Sequence, residues 1–236
     1  MGLSLLVPPR RPSRELLDDP SLCSEEMTGS LADIAALDRI WAGSRILGRW
    51  LLARRAFRTA RRARILDVGA GSGAPSRRLR RVLADGGSDA EVFALDLQWR
   101  HLASGAAADG ARPLPAVAGD ALRLPLADLS VDWAVSTLFL HHLSEQELAS
   151  LLAELGRVAR RGVALLDLRR HVFPLAFVSV AGPLLCRTRT SRLDGLASIR
   201  QAYTRRELAT IARRAWRAAE VRRVFPYRLL VTAERV

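Results

Sequence analysis

The run Ile65-Leu66-Asp67-Val68-Gly69-Ala70-Gly71-Ser72-Gly73 closes an apolar stretch with an acid and then alternates glycine with small residues. Glycine reaches positive φ without a Cβ clash and lets a ligand lie against the backbone. The spacing therefore suits a nucleotide-type ligand held where a strand turns into a helix. Through Ala74 the same run also fits the G-x-G-x-x-A dinucleotide fingerprint. Asp96 follows at the distance from which a carboxylate accepts both ribose hydroxyls. Gly119-Asp120-Ala121 adds a carboxylate that can accept from an exocyclic adenine amine, while the next backbone N–H can donate to a ring nitrogen. His141-His142 brings two imidazoles, which titrate near neutrality and can take a proton from a phenol. Each feature also has a plainer use: the loop as a ligand-free tight turn, Asp120 as a turn or helix cap, the histidines as one packed ring and one cap.

The hydropathy pattern supplies elements to hold these residues. Strands are predicted at Ile65–Val68, Glu91–Leu95 (ending at Asp96), Ala116–Ala118, Val131–Ser136 and Val163–Leu166 (ending at Asp167). Helices are predicted at Pro75–Ala84, at Trp99–Ala108, and after Ser144 and Thr204, each of which starts a capping box with Glu147 and Glu207. A closing hairpin, Val221–Phe225 with Arg228–Ala233, brings the strand count to seven. Alternating short strands and amphipathic helices imply an α/β, doubly wound, mostly parallel sheet. Residues 1–62, with Leu31, Ile34, Leu37 and Trp41 at helical spacing, read as an N-terminal helical cap of two or three helices on a domain spanning 63–236.

Composition sets outer limits. The chain has 236 residues, 49% of them apolar, so a single folded α/β domain with some decoration is expected. All 37 basic residues are arginine, and the formal charge is +13. Lysine and asparagine, whose codons are AT-rich, are both absent, which reads as genome composition. The arginines are spread along the chain and do not interleave with aromatics, so a nucleic-acid partner is not expected. Cys23 and Cys186 read as free thiols suited to a reducing cytosol, and no metal-ligand motif is visible. Leu3–Val7 is too short for a signal-peptide core, Gly2 lacks the downstream Ser or Thr of a myristoylation motif, and no run is long enough to span a membrane.

With these residues in view, the chain resembles the class I S-adenosylmethionine-dependent methyltransferases. The resemblance rests on Ile65–Gly73, Leu95-Asp96, Gly119-Asp120-Ala121, Leu124–Asp132 and Leu140-His141-His142-Leu143, and covers about residues 64–167 and the closing hairpin. It implies S-adenosyl-L-methionine as cofactor, held by Asp67, Gly69, Ala70, Gly71 and Gly73 at the methionine end. Asp96 with Leu97 would take the ribose, Asp120 with Ala121 the adenine, and Thr137 would stand near the reacting methyl. His141 is the candidate catalytic residue. Glu15–Pro20, Leu37–Gly43 and Asp194–Thr204 resemble bacterial methyltransferases found near type III polyketide synthases, with Asp38 standing where an Asn is expected. The activity this implies is O- or C-methylation of a small hydrophobic, phenolic or polyketide-type acceptor.

The insert His171–Cys186 is almost wholly apolar, and Pro174 and Pro183 argue against one straight helix. Its segment, about 169–203, reads as a lid over a hydrophobic acceptor. Its arginine flanks would allow contact with a membrane surface from the cytoplasm through 169–190. His142, Arg189, Arg192 and Arg200 are candidate acceptor-binding residues. Two other readings use the same glycine loop: a nucleic-acid methyltransferase and an NAD(P)- or flavin-dependent oxidoreductase.

Overall fold

Strand β1, Arg64–Val68, lies at the centre of the molecule because every residue after Arg64 is apolar or can be buried with a partner. In this computed structural model, which describes residues 6–106 and 113–235, its side chains alternate between the two faces of the sheet. Leu66 and Val68 enter one core cluster, and Ile65 enters the other. The readings made on Gly2, on Leu3–Leu5 and on Ala107-Ala108 lie outside the described residues.

In chain order the elements are α1 (Ser24–Trp41), α2 (Gly43–Leu52), α3 (Arg55–Arg58), β1, α4 (Ala74–Asp85), β2 (Glu91–Asp96), α5 (Trp99–Ala106), β3 (Ala116–Ala118), β4 (Val131–Thr137), α6 (Glu145–Val158), β5 (Ala159–Leu168), α7 (Val172–Leu185), α8 (Arg189–Gln201), α9 (Arg205–Ala215), β6 (Glu220–Val224) and β7 (Arg228–Glu234). The seven strands form one sheet in the order β3-β2-β1-β4-β5-β7-β6. β1 to β5 pair in parallel, and β7 runs antiparallel to both β5 and β6. Strand order reverses between β1 and β4, so the connections leaving them part and open a crevice at the carboxyl ends of the strands.

Both capping boxes form. Ser144 Oγ accepts from Glu147 N–H and Thr204 Oγ1 from Glu207 N–H, with each glutamate accepting from the cap's own N–H in return. Two expectations are corrected. α7 is one helix despite its prolines. Pro174 stands in the first turn, where an N–H has no intrahelical acceptor, and Pro183 is the third residue from the end. The division at residue 62 also does not follow the packing. Leu47, Trp50 and Leu51 of α2 and Phe57 of α3 share one buried cluster with Ile65, Leu79, Trp133 and Leu166, and Trp50 meets Trp133 edge to face at 5.5 Å. Of the described chain before β1, the part up to Trp41 lies outside this cluster.

Leu51 is 0% exposed and Leu184, on α7, is 89% exposed. We expect Leu51→Ala to lower the unfolding free energy by about 3 kcal/mol. Leu184→Ala should leave it within about 0.5 kcal/mol. Urea midpoints of the two variants check this; an unmoved midpoint in Leu51→Ala would separate α2 from the core.

Candidate active site

The turn after β1 is shaped by Gly69, Gly71 and Gly73, at φ of 68°, 55° and 71°. At Gly69 the left-handed backbone coincides with close packing: a Cβ there would lie 2.6 Å from the Phe139 ring, so only glycine fits beneath it. The loop is fastened to the end of β2. Gly69 and Ala70 N–H both donate to Leu95 O (2.9 and 3.0 Å), and Gly71 N–H donates to Asp96 Oδ2 (2.8 Å). Asp96 Oδ1 accepts from Gln98 N–H at 2.9 Å. An ionised carboxylate has about four acceptor positions, so Asp96 keeps capacity for a pair of ligand hydroxyls after shaping the loop. On its other side the loop rests on α5, where a Cβ at Gly105 would fall 1.8 Å from Ser72 O. Gly105 is therefore required, although nothing in its sequence context marks it.

Asp67 lies under the loop, with Oδ2 accepting from Ser76 Oγ–H at 2.6 Å and Oδ1 buried without a partner. Burial, reinforced by the charges of Asp38 and Asp96, outweighs the Ser76 hydrogen bond and raises its pKa to about 7. Asp120 Oδ1 accepts from Leu122 N–H (2.8 Å), which makes it the turn cap of its plainer reading.

A single cavity of about 1030 Å³ runs from this loop under α1 and α7. That is the upper end of the range for small-molecule sites, with room for a nucleoside-sized cofactor and a second molecule. Gly69, Ala70, Gly71, Asp96, Leu97, Asp120, Ala121, Thr137, His141 and His142 all line it. Asp67 and Gly73 do not; they support the loop from behind. Arg189, Arg192 and Arg200 also lie outside it, on the exposed side of α8, where Arg192 donates to the carbonyls of Cys186 and Arg187. The acceptor-orienting role expected of these three arginines has no geometric support. Helical spacing turns them away while Asp194 and Ser198 face inward.

The far end of the cavity is closed by chain that sequence spacing does not bring together. Leu31, Ile34, Leu37 and Trp41 of α1 face Phe173, Phe177 and Val178 of α7, and Trp41 meets Phe177 edge to face at 5.9 Å. Asp33 joins the two sides by accepting from Arg187 and Thr188 N–H at 2.9 and 3.1 Å. Asp194 holds the segment before α1, accepting from Leu16 and Leu17 N–H at 2.8 and 2.9 Å. Asp38, the departure noted in the sequence, caps α2 through Ser44 N–H (2.9 Å) and pairs with Arg78 at 2.6 Å. These are tasks for a charged acceptor, and an Asn would fill only the first.

This arrangement places Glu15 against the histidines. Glu15 Oε1 accepts from Ser198 Oγ–H (2.6 Å) and Gln201 Nε2–H (2.7 Å), and faces His141 Nε2 at 3.5 Å. Its Oε2 faces His142 Nε2 at 3.7 Å. Behind the rings, His141 Nδ1 lies 2.7 Å from Asp167 Oδ1, and His142 Nδ1 lies 3.1 Å from Asp18 Oδ2. Burial alone would favour a neutral His141, but Asp167 and Glu15 outweigh it and push its pKa up to about 10. Burial likewise raises Glu15, and the facing His141, His142 and Ser198 reverse this, to about 2. His141 thus faces an acid at each ring nitrogen and is not a free base poised near neutrality. Glu15, His141 and His142 also converge, each offering an atom within 4.8 Å of the others.

Residues 66–166 match the family described as "Methyltransferase domain". That segment, which holds the glycine loop and Asp96, is similar to a methyltransferase domain. Its cofactor is S-adenosyl-L-methionine, and the acids that would hold its nucleoside, Asp96 and Asp120, both line the cavity beside the glycine loop. Solved structures share the fold of the domain. A SAM-dependent methyltransferase from Aquifex aeolicus is 24% identical, over 74% of this chain and 82% of that one, with a TM-score of 0.54. Magnesium protoporphyrin IX methyltransferase from Synechocystis, with bound SAM, is 12% identical over 94% and 88%, at 0.55. The plantazolicin methyltransferase BpumL, in complex with a monoazolic desmethylPZN analogue and SAH, is 10% identical over 89% of both chains, at 0.63. No curated protein sequence matches the chain.

Two outcomes follow for the methyltransferase domain. Asp96→Ala should weaken S-adenosylhomocysteine binding by about 1.5–3 kcal/mol in calorimetry, the worth of a hydrogen bond to a charged group. Asp67 keeps its proton in the folded state to about pH 7, whereas the unfolded chain releases it near 3.8. Between those values the native state binds the extra proton, so stability falls as pH rises, by about 1.4 kcal/mol per unit, and levels off above the upper value. Asp67→Asn should remove that slope from urea midpoints recorded against pH.

Proposed function

We propose that the protein transfers the methyl group of S-adenosyl-L-methionine to oxygen or carbon of a small, largely apolar acceptor of phenolic or polyketide type. The observation that carries this reading is the single cavity that begins at the glycine loop and ends between Trp41, Phe173 and Phe177. An apolar wall of that kind recognises a hydrophobic ring and disfavours a polyanion, which speaks against the nucleic-acid alternative.

The cofactor supplies a methyl already activated on a sulfonium, so the protein's task is placement and exclusion of water. Asp96, Asp120 and Ala121 hold the nucleoside end, and Thr137, after β4, borders the region between cofactor and acceptor. The chain up to Trp41 acts as the cap, and α7 with α8 as the lid that keeps water out. The polar edge formed by Glu15, Asp18, His141 and His142 receives the acceptor's hydroxyl or carbonyl, and His141 positions that edge through Asp167. Contact with a membrane surface has a narrower basis, the exposed Val180 and Leu184, which continue the stripe of Phe173 and Phe177 along one side of α7. Among the described residues no helix is long and apolar enough to cross a membrane.

Methyl-labelled S-adenosylmethionine incubated with a panel of alkylated phenols should transfer label to an apolar phenol. Label appearing only on RNA in parallel reactions would overturn the reading. Phe177→Asp, which puts a charge into the wall, should lower kcat/KM for that phenol by about 100-fold, since an unpaired polar group there costs ~1–3 kcal/mol. Affinity for S-adenosylhomocysteine should be unchanged.

A further inference from the structure

We propose that Glu15, His141 and His142 form a binding site for one borderline divalent cation of the zinc class, with its open coordination positions facing the cavity. Geometry carries the proposal. Both imidazoles turn Nε2 toward the same carboxylate, at 3.5 and 3.7 Å. These gaps are too long for good hydrogen bonds. They are close to the separation of about 3.3 Å between ligand atoms of a tetrahedral ion with bonds of ~2.0–2.1 Å.

The groups behind the ligands point the same way. Metal-binding histidines commonly present one nitrogen to the ion and donate the other ring N–H to a carboxylate, which fixes ring orientation and tautomer. Here both do: His141 Nδ1 has Asp167 at 2.7 Å, and His142 Nδ1 has Asp18 at 3.1 Å. The carboxylate ligand is also held from behind, since Ser198 and Gln201 both donate to Oε1, the oxygen that faces His141, while Oε2 faces His142. A simple latch for the N-terminal segment would need one ion pair. It would not need two imidazoles converging on one carboxylate, each backed by a further acid.

Two histidines and one glutamate are a ligand set used by zinc sites that keep an open position. All three line the cavity, so the open positions face the space for the acceptor. The inference stands apart from the choice of acceptor and from methyl transfer itself.

The test uses the full chain, stripped with a chelator and dialysed, then titrated with zinc chloride by calorimetry and with cobalt(II) by absorption spectroscopy. One equivalent should bind. His142→Ala and Glu15→Gln should weaken binding by at least about 100-fold, and Asp18→Asn, which loosens the His142 ring, by about 10-fold. The doubly substituted Cys23→Ser/Cys186→Ser chain should bind zinc as the native chain does, which excludes thiolate ligation. His142 has a side chain 23% exposed, so its variant keeps the fold, and thermal melts confirm this. No stoichiometric binding to the native chain, undiminished binding in both His142→Ala and Glu15→Gln, or loss of binding in the cysteine variant would overturn the proposal. S-adenosylhomocysteine titrations of the same samples report the methyltransferase reading separately.

Discussion

A buried carboxylate costs several kcal/mol unless donors and opposite charge surround it, and at Glu15 that requirement organises one whole side of the molecule. The donors come from α8, through Ser198 and Gln201, and the charge comes from the histidines that follow β4. Satisfying Glu15 therefore draws three distant stretches of chain to one point at the carboxyl ends of the strands. Once they meet, Asp194 can take the N–H groups of Leu16 and Leu17, and Asp33 can take those of Arg187 and Thr188. α7 and α1 both pack on α8, and the space left between them is the cavity. The cavity's depth follows from a polar constraint at its edge as much as from hydrophobic packing along its walls.

The opposite side of the cavity is built on local rules, and this division explains what the sequence could and could not disclose. The turn from β1 into α4, the acid at the end of β2 and the two capping boxes depend on residues within a few positions of one another, so their spacing can be read directly. The antiparallel β7 was legible because Pro226-Tyr227 leaves too little chain for a crossover. Glu15 was not, because nothing near it in the chain states that it will return to His141. The side of α8 that faces inward was also hidden. Its arginines looked like the chemical residues, yet the inward positions belong to Asp194 and Ser198. The prolines of α7 argued against one straight helix, but Pro174 sits in the first turn, where no hydrogen bond is lost, and Pro183 removes one only near the end. The boundary at residue 62 failed for a related reason: α2 is arginine-rich like the segment before it, but its apolar stripe packs on the sheet.

The glycine loop shows how one residue can serve both fold and ligand. Asp96 fixes the loop through Gly71 and the following turn through Gln98, and its remaining acceptor positions stay open to the cavity. Binding a nucleoside there requires little rearrangement of the carboxylate, because the fold has already oriented it. Asp67 stands in the opposite electrostatic situation, shielded from solvent and near two other acids. Its proton removes a charge that the interior could not hold.

The same reasoning accounts for much of the +13 charge without a polyanionic partner. Arginine presents five donors in a rigid fork, so one side chain can satisfy several carbonyls that loops leave unpaired. Arg157 donates to Leu124 O and Leu126 O while pairing with Asp128 and Glu154, and so fixes the connection before β4. Arg170 bridges Pro8 O, Ala202 O and Glu207, and Arg10 reaches Gln201 O and Leu143 O while lying over the Tyr203 ring at 4.0 Å. In a chain without lysine or asparagine, the work of tying loops falls to arginine. These arginines have a place in holding loops, so their number is not by itself evidence of a polyanionic partner.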